Sequence, residues 1–135
     1  MIRLTQTGIE LEGDDKHVGM LEEEWEMTHC NPVATPYVKP VSSRASGPCE
    51  TGGTERKAMS PADATLYRRA AARINYIALD RPDLSFASRV ASSSMSNPKE
   101  GDDQVIKRII RYLKGKPRVA IRYQFQMESE GITVY

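Results

Sequence analysis

Three runs of apolar residues between Ser60 and Gly115 constrain the fold of this 135-residue chain most strongly. Within each run the apolar side chains recur at intervals of three and four residues, which places them on one face of an α-helix. The runs are separated by Pro82 and Pro98, and a proline disfavours helical geometry in the residue before it. The pattern therefore predicts three amphipathic helices that pack on one another.

The first of these helices has a clear N-terminal signal. Ser60 is suited to cap it, Pro61 fits its first turn, and Asp63 stands in the reciprocal position of a capping box. Its predicted apolar stripe consists of Leu66, Ala70, Ile74 and Ile77. The sequence thus predicts a helix that begins at Ser60 and ends before Pro82.

The second and third helices are shorter. The second is predicted to start at Arg81-Pro82-Asp83 and to pack through a narrow, small-residue face composed of Leu84, Phe86, Ala87, Val90 and Ala91. The third is predicted from about Asp102 to Lys114, with Gly115 as its stop. Its stripe consists of Ile106, Ile109, Ile110 and Leu113. Each fully buried isoleucine contributes about 1.5–3 kcal/mol, so this helix should dock firmly.

The first 26 residues predict a β-hairpin followed by a helix. Apolar and polar residues alternate on both sides of Thr7-Gly8, which is the period of a strand pair. Asp14 and Asp15 suit the start of the helix, since their charge complements its positive end. Val18, Leu21 and Trp25 form its stripe. We interpret the glutamates beside that stripe as a solvated face rather than a metal site.

A Ser/Gly/Pro-rich stretch from residue 41 to 56 has almost no apolar side chains and predicts a disordered linker. Beyond the helices, residues 119–125 alternate as a strand, and Ile132 to Tyr135 is its expected hairpin partner. The predicted fold class is α+β. Its segments are residues 1–37 (hairpin and first helix), 38–59 (linker), 60–117 (helical unit) and 118–135 (an incomplete hairpin).

Charge is distributed unevenly, although the formal net charge is only +1. Residues 1–26 contain eight acids and two bases, whereas residues 105–123 contain seven bases and no acid. A local basic field attracts polyanions whatever the total charge. The candidate nucleic-acid-binding residues are Lys107, Arg108, Arg111, Lys114 and Lys116. The alternative, open from the pattern alone, is that these are ordinary solvated charges.

Other side chains favour structural roles. Trp25, Tyr76, Phe86 and Tyr112 lie in or beside apolar stripes, so we predict core packing rather than base stacking for them. Two cysteines do not supply the four ligands of a structural zinc site. A disulfide between Cys30 and Cys49 would close the Ser/Gly/Pro-rich stretch. The lack of a secretory signal favours reduced thiols and an intracellular protein.

Several blocks of sequence resemble copia-type retrotransposon Pol polyproteins. The run from Trp25 to Pro36 (WEMTHCNPVATP) is similar to the family's F-G-M-x-D-C-K-P-V-S-T-P. The run from Asp80 to Ala87 (DRPDLSFA) follows a tyrosine-arginine helix and is similar to T-R-P-D-I-S-F-A. Next come M-S-N-P, ending at Pro98, and K-R-I-I-R-Y-L-K-G, ending at Gly115, which resembles A-K-R-I-L-R-Y-L-K-G-T. Departures include His29 in place of an acid and Lys116 in place of threonine.

The resemblance implies a region of reverse transcriptase between the polymerase active site and RNase H. The family's polymerase carboxylates stand in a Y-x-D-D motif, and this sequence has none. RNase H would begin with an acid just past a strand like Ile132 to Tyr135. The matching thumb and connection hold the primer–template. The resemblance therefore implies no catalytic residue, no metal ligand and no cofactor in this chain, with Mg²⁺ needed only by the intact enzyme.

The function expected from these observations is a non-catalytic fragment of a reverse transcriptase. It would contact an RNA/DNA primer–template duplex through the basic helix and would link to RNase H and the rest of the Pol polyprotein. Two alternatives remain open: a degenerate relic without activity, and a stand-alone nucleic-acid-binding module. No apolar stretch approaches the roughly 20 residues of a membrane span, so no membrane partner and a cytoplasmic or nuclear location are expected.

Overall fold

A computed structural model describes residues 1–13, 16–38 and 57–125 and has the predicted α+β class. Its strands are β1 (Ile2–Leu4), β2 (Gly8–Glu12) and β3 (Ala120–Gln124). Its helices are α1 (Lys16–Glu24), α2 (Pro61–Asp80), α3 (Ser85–Ser93) and α4 (Asp103–Gly115). A single 3₁₀ turn, Pro82–Leu84, joins α2 to α3.

All four helices contribute to one hydrophobic core, which confirms most of the predicted stripes. Helix α4 contributes four fully buried side chains, and α1 adds Leu21 from the front of the chain. The same cluster includes Ile74 of α2 and Leu84 of the 3₁₀ turn. The first helix therefore packs into the same core as the helices that follow residue 57. The four predicted segments of the chain stay a prediction.

Helix α2 begins with the predicted cap. The hydroxyl of Ser60 accepts a hydrogen bond from the Asp63 backbone N–H at 3.2 Å and donates one to the Asp63 carboxylate at 2.6 Å. Pro61 occupies the first turn, where its missing N–H costs nothing. The local sequence thus sets the start of the longest helix.

The sheet has the order β1-β2-β3 and is antiparallel throughout. The β1–β2 hairpin and a strand at β3 were both predicted. The sequence did not predict that β3 pairs with β2, with Gly8 opposite Gln124 and Glu12 opposite Ala120. The partner predicted for β3, residues 132–135, lies outside the described residues. A Cβ on Gly8 would stand 2.1 Å from the Tyr123 carbonyl oxygen, so glycine permits this close approach.

Ion pairs join the acidic front of the chain to later basic residues. Across the sheet, Arg122 pairs with Glu10 and Arg118 with Glu12. Hydrogen bonds from Arg118 lower the pKa of the Glu12 carboxyl. On α1, Glu24 pairs with Arg73 at 2.9 Å and with Arg69 at 3.4 Å. The uneven charge along the sequence is thus partly complementary within the fold.

Two aromatic residues depart from the predicted core. Tyr76 is 55% exposed and Phe86 is 64% exposed, so the prediction that they pack in the core was wrong. On α3 the buried row consists of Ala87, Ser88 and Ala91 and continues from Leu84 of the 3₁₀ turn, which directs Phe86 to another side of the helix. Small residues in that row let α3 lie close to α2. Tyr112 is buried as predicted, and Trp25 packs half-buried against the core.

Residues 14, 15 and 39–56, which include the predicted helix start and nearly all of the predicted linker, lie outside the described residues. Directly after this stretch, Ala58 forms a β-bridge with Lys99, and the Met59 N–H donates to the Pro98 carbonyl at 3.0 Å. Over the described part of the chain, no helix is long and apolar enough to cross a membrane.

Candidate nucleic-acid interface

Helix α4 places the candidate basic residues outside its buried row. Ile106, Ile109, Ile110 and Leu113 are fully buried, and they fix the rotation of the helix about its axis. Lys107, Arg111 and Lys114 follow one another at intervals of four and three residues, which aligns them on a neighbouring face. Arg108 lies one position from Lys107 and is half-buried. The core thus sets the direction in which these cations point.

Three of the cations hold the segment of residues 28–35 against α4. Their acceptors are two backbone carbonyls and one hydroxyl: Arg111 Nε donates to Asn31 O at 2.7 Å, an Arg108 terminal nitrogen to Thr35 Oγ1 at 2.9 Å, and Lys114 Nζ to Thr28 O. In return, the Val33 N–H donates to the Arg111 carbonyl at 3.3 Å. The sequence did not predict this contact, because nothing in the spacing links the two segments.

Within the described part of the chain, these contacts leave the positive charge of the three residues uncompensated, since all three acceptors are neutral. Lys107 differs, because it forms an ion pair with Asp103 at 2.6 Å. The Lys116 ammonium lies 5.4 Å from the centre of the Tyr112 ring, a cation–π arrangement. Four of the five predicted binding residues therefore keep a net positive charge on ordered side chains.

A groove runs beside this face between α3, α4 and the end of the 28–38 segment. Its volume is about 540 Å³, and we call it the α3–α4 groove. The residues that line it include the apolar Val90 and Val105 and the cations Arg108 and Arg111. At its edge the ring of Tyr37 meets that of Phe86, with centroids 5.2 Å apart and an angle of 66°. Sequence analysis missed Tyr37, which belongs to no helical stripe.

A buried polar network fixes the end of α4 to the turn between α2 and α3. Arg81 is 3% exposed and donates to the Asp83 carboxylate at 2.8 and 3.0 Å and to the Lys116 carbonyl at 3.0 Å. The Tyr112 hydroxyl donates to Asp83 at 2.7 Å. This is the predicted helix boundary, and the two charged residues hold it together.

The network shifts the ionisation of its members. Partial burial alone would raise the pKa of the Asp83 carboxyl, but hydrogen bonds from Arg81 and Tyr112 outweigh burial and lower it. Burial and the neighbouring carboxylate both raise the pKa of the Tyr112 hydroxyl. At neutral pH the network thus consists of a guanidinium, a carboxylate and a neutral phenol.

Other candidate chemistry is sparse in the described part of the chain. No group of three or more His, Cys, Asp and Glu side chains is placed there so that it could hold a metal ion. Cys30 is a free thiol, and Cys49, its suggested partner, lies outside the described residues. The basic face and its groove therefore form the candidate functional site of the described residues.

Comparison with known proteins connects the chain to transposons. An uncharacterized mitochondrial protein of Arabidopsis thaliana is 30% identical over 89 residues, which are 66% of this chain and 32% of the relative. The retrovirus-related Pol polyprotein from transposon RE1 of the same plant is 42% identical over 59 residues, 44% of this chain and 4% of the polyprotein. That from transposon RE2 is 35% identical over 91 residues, 67% of this chain and 6% of the polyprotein.

The chain thus spans about a third of the first relative and a small part of each polyprotein. No family model matches the sequence, and no solved structure matches the fold. The relationship to transposon Pol polyproteins that the motifs predicted is nevertheless confirmed by these relatives.

Proposed function

Because this chain is a relative of the retrovirus-related Pol polyproteins of transposons, we propose that it is part of a reverse transcriptase and contacts the primer–template. The contacting surface is the basic face of α4, formed by Lys107, Arg108, Arg111 and Lys114, together with Lys116 directly after the helix. Its ligand is an RNA/DNA duplex, and its covalent or structural partners are the other parts of the Pol polyprotein. The parent enzyme carries out RNA-directed DNA synthesis with Mg²⁺.

The observation that carries this proposal is the combination of order and unneutralised charge on α4. Arg108, Arg111 and Lys114 are held by neutral acceptors, so their side chains are positioned without losing their attraction for phosphate. Phosphate contacts of this kind position a duplex and do not read its sequence. A polymerase that copies any template needs this type of grip.

In this proposal the chain supports the reaction and does not perform it. Phosphoryl transfer by a polymerase requires carboxylates that hold metal ions close to the reacting phosphate. The sequence lacks a Y-x-D-D motif, and we place that function in another part of the parent enzyme. We also propose that the chain connects the polymerase to RNase H, because its motifs resemble the region between these two parts of the family's polyproteins.

The test measures how binding of the 135-residue chain to an RNA/DNA hybrid duplex depends on salt. For duplex nucleic acid, log affinity falls by about 0.9 per phosphate contact per log unit of salt. We expect Arg111→Gln to weaken binding and to reduce this slope by about one contact. Arg122→Gln is the matched control, because Arg122 is already paired with Glu10 on the sheet.

Affinity that does not change with salt, or equal affinity of both variants and the wild-type chain, would contradict the proposal. Since Arg111 also holds Asn31, thermal unfolding of each variant must be recorded beside the binding curve. Lys116→Gln provides a second removal of uncompensated charge and leaves the three contacts to the 28–35 segment in place. If the chain is a relic without function, no salt-dependent binding is expected. If it is a stand-alone binding module, salt-dependent binding is expected, and the parent enzyme is not needed for its function.

A further inference from the structure

We propose that the α3–α4 groove binds an unpaired nucleic-acid strand, with phosphates at Arg108 and Arg111 and a base stacked on Phe86. This inference rests on the proposed function, because it uses two of the same cations. It adds a second mode of contact, to single-stranded nucleic acid, and assigns a binding role to the Tyr37–Phe86 pair. The unpaired segment of a template next to a duplex has this chemistry.

The first argument is the hydrogen-bonding capacity left on the groove wall. Arg111 uses its Nε on Asn31, and within the described residues its two terminal nitrogens have no partner. Arg108 uses one terminal nitrogen on Thr35. A guanidinium fixed through one nitrogen presents the others in a known direction, and phosphate oxygens accept from such a fork. The wall therefore offers ordered donors to a strand that lies in the groove.

The second argument is the exposed aromatic pair at the edge of the groove. Phe86 is 64% exposed, although most phenylalanine side chains lose most of their surface on folding. The Tyr37 ring packs against Phe86 at 66°, which holds its position through an edge contact. An aromatic ring beside phosphate-binding groups is the arrangement by which proteins bind single strands, because every base can stack on it.

Helix α3 also carries a cation close in sequence to Phe86. Arg89 lies one turn after Phe86 on α3, is exposed, and has no hydrogen-bond or ion-pair partner among the described residues. It can contact the backbone of a strand whose base stacks on Phe86. The cations that line the groove thus come from α4, beside the apolar Val90 and Val105, and Arg89 of α3 adds a further positive charge outside the lining. The carboxylate of Asp102, which also lines the groove, accepts a hydrogen bond from the Lys99 N–H at 3.0 Å.

The size of the groove favours an unpaired strand over a duplex. A volume of about 540 Å³ falls within the roughly 300–1,000 Å³ of small-ligand sites, so the groove suits a short part of an unpaired strand. In a duplex the bases are stacked on each other and are not available to an aromatic side chain. Duplex contact therefore involves the cations alone, and only an unpaired strand involves Phe86 as well.

The experiment compares three fluorescein-labelled ligands by anisotropy with the full chain. They are an oligothymidylate of roughly 12 nucleotides, within the site sizes of single-strand-binding folds, an abasic oligomer of equal length, and an RNA/DNA hybrid. We expect the oligothymidylate to bind more tightly than the abasic oligomer. Phe86→Ala should weaken oligothymidylate binding about 5- to 100-fold and leave hybrid binding unchanged.

Two further variants keep the interpretation specific. Phe86→Trp retains a stacking surface and should preserve oligothymidylate binding. Leu79→Ala removes another exposed apolar side chain, which is 79% exposed and lies near the end of α2, and should change nothing. Because Phe86 is outside the core, Phe86→Ala should melt at the wild-type temperature.

The outcomes separate this inference from the proposed function. Equal affinity for base-bearing and abasic oligomers, or no effect of Phe86→Ala on either, overturns the groove proposal while salt-dependent hybrid binding stands. Loss of all binding in Arg111→Gln together with no effect of Phe86→Ala also overturns the groove proposal and leaves the proposed function intact. If the chain binds none of the three ligands and Phe86→Ala only reduces its self-association, the groove is a protein contact and both proposals fail.

Discussion

Replacing Asp83 with asparagine should destabilise the fold substantially, because its carboxylate neutralises a buried guanidinium. Arg81 is 3% exposed and directs two hydrogen bonds to that carboxylate. Asparagine keeps the shape of the side chain and can still accept one hydrogen bond. The change therefore removes the negative charge while it leaves packing nearly intact.

The magnitude follows from the burial of the two partners. Removing one member of a buried ion pair costs about 3–5 kcal/mol, since the other charge stays uncompensated. The Asp83 side chain is 26% exposed, and Arg81 keeps its hydrogen bond to the Lys116 carbonyl. Water can therefore compensate part of the loss. We expect the free energy of unfolding at pH 7 to fall by about 2–3 kcal/mol, below the range for full burial.

The same carboxylate predicts a dependence on pH with a definite sign. The pKa of Asp83 in the folded chain lies below its ordinary value. The stability that it contributes is thus fully present above the unfolded pKa, about 3.9, and is lost as pH falls through the folded pKa. The difference in stability between wild-type and Asp83→Asn chains should be largest at neutral pH and should shrink as the solution becomes more acidic than about pH 4.

Urea unfolding followed by circular dichroism at pH 7 and at low pH measures both effects, provided that the slope with urea is unchanged. Glu100→Gln is the control, because Glu100 pairs with Lys57 at 3.7 Å where both side chains are largely exposed. Such a surface pair contributes about 0–1 kcal/mol. If Asp83→Asn costs no more than Glu100→Gln, or if its cost is independent of pH, the buried network does not stabilise the fold as argued.

Three further substitutions test local features. Ser60→Ala removes the α2 cap and should cost about 1 kcal/mol in urea unfolding, so a cost near zero would contradict the cap. Gly8→Ala should cost about 1–3 kcal/mol or more and increase hydrogen exchange in β3, because its Cβ would meet the Tyr123 carbonyl oxygen. Tyr67→Phe should cost about 1–3 kcal/mol, since its hydroxyl donates to the Ala91 carbonyl at 2.6 Å in the core; an unchanged melting temperature would refute this.

The helices could be predicted from the sequence because their signals are local. A cap at Ser60, prolines between the runs and isoleucines at helical spacing in α4 all act within a few residues of where they stand. The same periodicity did not fix the outward side of α3. Phe86 and Ala87 are neighbours, and only the close packing of α2 on the small residues decides that Ala87 is buried.

Contacts between distant segments could not be predicted. The basic residues of α4 were identified from their spacing, but their acceptors at Thr28, Asn31 and Thr35 lie more than 70 residues earlier. The pairing of β2 with β3 likewise depends on the three-dimensional fold, since any strand of matching alternation could occupy that edge. The α3–α4 groove depends on such a distant contact, because Tyr37 and Val38 line it together with residues of α3 and α4, and for this reason no sequence pattern indicated it.

The position of β3 in the sheet has a consequence for the order of folding. Its partner β2 ends at Glu12, whereas β3 begins only at Ala120. The pairing of β2 with β3 therefore joins strands from the two ends of the described chain. Contacts of such long sequence separation close a large loop and form slowly, while helices form early. During synthesis the β1–β2 hairpin must therefore wait, with one edge unpaired, until the entire helical unit has left the ribosome.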